Sequence, residues 1–129
     1  MANVDGIGFA GKVLTFATAA DLSSNQYHLG KFSTDKVALA GAGEAVRGVI
    51  LNKPKSTGPQ VALGVLGVFP VMCDGSGTAI ATGDPIKSDA SGHGVKAATD
   101  KDKVAGYALQ ATAAAEVINV LVIPMTIDV

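Results

Sequence analysis

Apolar and polar residues alternate along this chain with a period of two, in short runs, and no period of 3.6 lasts beyond about two turns before a glycine interrupts it. Turn-forming clusters separate the runs: Gly41-Ala42-Gly43, Asn52-Lys53-Pro54, Asp74-Gly75-Ser76-Gly77, Gly83-Asp84-Pro85 and Ser88-Asp89-Ala90-Ser91-Gly92. A cadence of roughly ten to fifteen residues is what short strands joined by tight turns produce. The pattern predicts strands over residues 12–18, 26–32, 36–40, 44–51, 60–72, 84–88, 94–97, 104–109 and 117–124. Residues 19–24 and the alanine-rich 112–116 are candidates for single helical turns. The expected fold is mainly β, a small β-barrel or β-tulip-like domain with short helical turns, since closure hides the edges of such a meander.

Two of these runs break the alternation. Residues 61–72 are apolar on both faces of any strand they form, and residues 117–123 nearly so. A small barrel buries only one face of a strand, so the first run is either a central core strand or an assembly contact, with Val65, Leu66 and Phe69 as candidate contact residues. The N-terminal stretch raises a similar choice. Residues 1–11 hold Gly6, Gly8 and Gly11 among single apolar residues, too much backbone freedom to fold alone. They read as a flexible arm ahead of a single β-rich domain over residues 12–129. The arm is either a frayed end or a segment whose Ile7 and Phe9 order on a neighbouring subunit.

Composition sharpens this picture. In 129 residues, enough for one domain, alanine supplies 21 and valine 15 of the 62 apolar residues. Aromatic residues make up 5% and tryptophan is absent. Such a core buries little area per residue, which points to modest stability or to further burial against partners. Ten basic residues against 11 acidic ones leave a net charge of -1, which argues against a phosphate-tracking nucleic-acid binder and a membrane-surface binder. The longest apolar run is broken by Gly64, Gly67 and Pro70 and is too short for a spanning helix, and the first residues lack the basic start of a signal peptide.

Candidate chemistry is sparse. His28 lies in an alternating strand and His93 in a Gly92-His93-Gly94 turn, with no nucleophile and acid beside either. The lone Cys73 has no surrounding motif and reads as a small hydrophobe. Asp100-Lys101-Asp102 lacks the glycine and distal glutamate of a calcium loop, and no two histidines stand at metal-ligand spacing. The expectation is a protein with no catalytic residues, cofactor or metal. A ligand-binding or carbohydrate-binding module remains the alternative, although two tyrosines and no tryptophan make a poor sugar-stacking surface.

One resemblance runs through the chain. Residues 20–27, then Ala40-Gly41-Ala42-Gly43-Glu44 leading into Gly48-Val49-Ile50-Leu51-Asn52-Lys53-Pro54, are similar to the tailed-phage capsid cement, or head decoration, proteins. The similarity continues through residues 81–92, Val104-Ala105-Gly106-Tyr107-Ala108-Leu109 and Ile118-Asn119-Val120-Leu121-Val122, in the expected order over roughly residues 12–124. Each piece alone is ordinary turn chemistry; the ordered combination carries the likeness. It implies a small non-enzymatic β domain on the outer surface of the virion capsid. Such a protein forms a homo-oligomer, with a trimer favoured, and clamps neighbouring major capsid subunits against internal DNA pressure, with no nucleic acid or membrane as partner.

Overall fold

The computed structural model describes residues 10–56, 60–98 and 102–126. Among them are nine strands: β1 (Ala10–Thr18), β2 (Leu29–Ser33), β3 (Lys36–Leu39), β4 (Gly48–Ile50), β5 (Gln60–Asp74), β6 (Pro85–Ser88), β7 (Gly94–Lys96), β8 (Lys103–Ala108) and β9 (Ala115–Thr126). Each falls on a run predicted from the alternation. β1 begins two residues early, at Ala10, so Gly11 belongs to the strand and not to an arm.

The strands close into two rings that share β5. One ring runs β5-β1-β3-β2-β4 and returns to β5; the other runs β5-β7-β6-β8-β9 and returns to β5. This answers why the run over 61–72 is apolar on both faces. The β1–β5 register shifts between Lys12, paired with Leu66, and Val13, paired with Gly64, so Val65 is an extra residue in β5. A bulge of this kind reverses which face the following side chains occupy. Before it, Val61 and Leu63 point into the first ring, packing with Leu22, Val37 and Ile50. After it, Phe69, Val71 and Cys73 point into the second, against Ile86, Ile118, Val120 and Val122. One 15-residue strand thus supplies two cores in turn, rather than one barrel with a spare face.

Where the rings meet, Gly67 pairs with Gly11 of β1 and also with Val122 of β9. Its φ of 125° is a backbone state that side chains resist, so glycine is required at this three-strand junction. Phe69 is the largest fully buried side chain, and its ring lies over Gly64, where a Cβ would stand 2.9 Å from the ring carbons.

The two short helical turns expected from the sequence do not form. In residues 19–24, Asp21 Oδ1 accepts from the amide and hydroxyl of Ser23, at 2.9 and 2.7 Å, an alternative to helical pairing. The Leu22 amide donates to Pro54 O, which seats Leu22 in the first core. At the other site, Thr112 exchanges two 2.9 Å backbone bonds with Ile80, and Ala115 already pairs with Asp74 as β9. Tertiary pairing overrides the helical preference of alanine.

The motifs that carry the resemblance are turn anchors. Glu44 Oε1 accepts from the Gly41 amide at 2.6 Å, and the same carboxylate pairs with Lys31 at 2.8 Å. Asp84 of Gly83-Asp84-Pro85 accepts from the Ala81 amide at 2.8 Å.

Candidate functional site

The inward face of the first ring is buried around Val37, Ile50, Val61 and Leu63 and also carries exposed side chains. Phe16 and Phe32 meet there edge to face, with ring centroids 5.0 Å apart, and Phe32 remains exposed. Leu14, on the same face, is 45% exposed, and Leu66, just past the bulge, is 54% exposed. That face continues onto the outside of the second ring, where the register sets Val68 beside Leu121 and Met72 beside Val117. Lys12, opposite Leu66, and Asn119, opposite Pro70, place polar groups in this stretch. The result is an apolar strip along β1, β5 and β9.

The expected contact residues separate on this geometry. Leu66 lies at the centre of the strip and Val65, half-buried at the bulge, packs against the first core. Phe69 is a correction: its side chain is fully buried in the second core, because the bulge turns it inward, and it offers nothing to a partner. Ile7 and Phe9 lie outside the described residues. Leu14, Phe32 and Val117 are exposed as well, which nothing in the local alternation signals.

The lone thiol lies inside the second core. Cys73 is fully buried, and burial pushes its thiol up to about 12, the opposite of an activated nucleophile. A testable consequence follows from the sign of this shift. Above pH 9 the unfolded chain ionises its thiol while the folded chain does not, so stability should fall as pH rises from about 9 to about 12. Urea titrations of the native chain should show that decline and Cys73→Ala should lessen it; at pH 8 a thiol reagent should label only the denatured protein. Rapid labelling of the folded chain would refute the burial. Tyr27 and Tyr107 fall on different elements, the loop before β2 and strand β8.

The fold does assemble one polar cluster that the sequence spacing hides. Asp74 at the end of β5 meets Asp89 and His93 of the β6–β7 hairpin, and the ring of His28 packs on that of His93 with centroids 4.8 Å apart. Burial and the neighbouring His93 charge hold the His28 imidazole below its usual pKa, against the raising effect of the Gln26 carbonyl. Of the expected charged turn, Asp102 is described: it pairs with Lys87 at 3.4 Å and accepts from the Ala98 amide. No helix among the described residues is long and apolar enough to cross a membrane.

The described strands thus close into two rings, with apolar side chains exposed along β1, β5 and β9 and the one thiol buried. Comparison with known proteins gives this fold a family: the sequence profile of the phage cement proteins matches residues 10–124, most of the chain. The chain belongs to that family, and is a decoration protein of the phage head, carried on the virion. A search of curated proteins finds no match. Among solved structures, the head fiber gp8.5 N base of bacteriophage phi29 is similar in fold, with a TM-score of 0.70 and 19% identity. The match covers 92% of this chain and 100% of that one.

Proposed function

We propose that the protein binds the outer surface of the head through the apolar strip centred on Leu66, and bridges neighbouring major capsid subunits so that they resist the pressure of packaged DNA. The carrying observation is the strip itself: Leu14 of β1, Leu66 of β5 and Val117 of β9 are exposed, with Phe32 of β2 exposed at the first ring. Leucine and phenylalanine side chains left in water each forgo about 1.5–3 kcal/mol that burial against a partner recovers. A clamp must touch more than one subunit, because a protein held by one cannot oppose their separation. A trimer, with one copy over each of three subunits, meets that requirement. The N-terminal segment that carries Ile7 and Phe9 supplies further apolar anchors.

The test is release of packaged DNA against temperature, from heads carrying the protein and from heads stripped of it, at low and high salt. Decorated heads should hold their DNA to higher temperature. With a net charge of -1 and an apolar contact, salt should change occupancy only weakly. Equal release temperatures would remove the clamping role. A steep salt dependence would remove the apolar contact while leaving the role in place.

A further inference from the structure

Asp74, Asp89 and His93 each offer one ligand atom, and these atoms all lie within 4.8 Å of one another at half-buried positions. We propose that they form a binding site for a divalent transition-metal ion, Zn²⁺ first, with His28 at its edge. This inference concerns the free chain and does not depend on how the protein binds the head.

The donor set is prearranged. Asp74 Oδ1 accepts from the Ser76 amide and hydroxyl at 2.9 and 2.6 Å, and Asp89 Oδ1 accepts from the amides of Ser91 and His93 at 2.8 and 2.9 Å. Each carboxylate is therefore pinned by one oxygen, which leaves Oδ2 to ligate. Asp89 Oδ2 stands 3.8 Å from His93 Nδ1, too far for a hydrogen bond. It is close to the roughly 3.4 Å that separates two ligands on a tetrahedral zinc ion. His28 Nδ1 lies 3.0 Å from Gln26 O. With the proton on Nδ1 donated to that carbonyl, the lone pair sits on Nε2, the arrangement metal-binding histidines adopt.

Charge points the same way. The ion pairs of Lys31, Lys87 and Lys96 go to Glu44, Asp102 and Asp84, and the group facing Asp89 is His93, which is a cation only when protonated. With the imidazoles neutral, two carboxylates share the cluster and a dication balances them. Imidazole beside carboxylate selects zinc, nickel or copper over calcium and magnesium, which prefer all-oxygen sites. The position also gives the ion a task. β5 and β7 are joined in register by one residue pair, Cys73 with Gly94, the shortest seam of the second ring. A metal held by Asp74 on one side and by Asp89 and His93 on the other would latch that seam.

The experiment uses the untagged full chain, stripped with chelator and dialysed, then titrated with ZnCl₂ by calorimetry and by thermal unfolding. One Zn²⁺ per chain should bind and the unfolding temperature should rise with Zn²⁺ concentration; CaCl₂ should do neither. Asp89→Asn keeps an oxygen for the hairpin amides but is a weak ligand, and His93→Gln removes the imidazole. Each should lower Zn²⁺ affinity at least about tenfold while the circular-dichroism spectrum stays native. No saturable binding at millimolar Zn²⁺, unchanged affinity in both variants, or equal binding of Ca²⁺ would overturn the proposal.

Discussion

Phe69→Ala is expected to remove about 3–5 kcal/mol of stability, the largest loss of any single truncation among the described residues. Phe69 is fully buried, and its neighbours in the second core are mostly valine, isoleucine and alanine. Short branched side chains cannot swing into the space a phenyl ring leaves, so the cavity persists and its cost adds to the lost transfer energy. A domain of this size has about 5–15 kcal/mol in total, so the substitution takes a large share. Urea unfolding should show a lower midpoint with an unchanged slope. Phe69→Leu, which keeps most of the volume, should lose far less. A loss for Phe69→Ala within about 0.5 kcal/mol, as exposed positions show, would place the ring on the surface.

The strands were legible in the sequence because they depend on local alternation, and all nine fall on predicted runs. The arrangement of β5 was not. Val61 to Cys73 reads as a strand with two apolar faces, and sequence offers one strand two explanations, a central position or an exposed contact. The bulge at Val65 supplies a third, in which each half buries a different face in a different ring. A bulge needs only one extra residue opposite a partner, and the partner, β1, lies some fifty residues away in sequence, so no local signal marks it. The same bulge buries Phe69 while Leu66, three residues before it, stays exposed. The Asp74–Asp89–His93 cluster was hidden for a related reason: Asp74 ends one strand and the other two flank a hairpin turn, so only ring closure joins them. The helical turns failed differently, since alanine preference at Ala113 and Ala114 is weak beside the paired backbone bonds of Thr112 and Ile80.

Leu66→Asp should abolish head occupancy without unfolding the protein. Leu66 is 54% exposed, so the free chain loses little when it changes, within about 0.5 kcal/mol. The bound state loses much more. It forgoes about 1.5–3 kcal/mol of apolar burial and must also strip water from a carboxylate facing an apolar partner. At 1.4 kcal/mol per factor of ten, the affinity should fall by at least about 100-fold. Leu14→Asp, on the same strip, should act in the same direction, and Phe32→Asp should follow if the opening of the first ring is covered in the complex. Thr82→Asp adds the same charge at an exposed turn off the strip and should bind as the parent does. The measurement is occupancy on stripped heads by sedimentation and gel, with urea unfolding of each free variant as the control. Full occupancy by Leu66→Asp would move the contact off this face. Loss of occupancy by Thr82→Asp as well would mean that added negative charge anywhere repels the protein, and that the attachment is electrostatic rather than apolar.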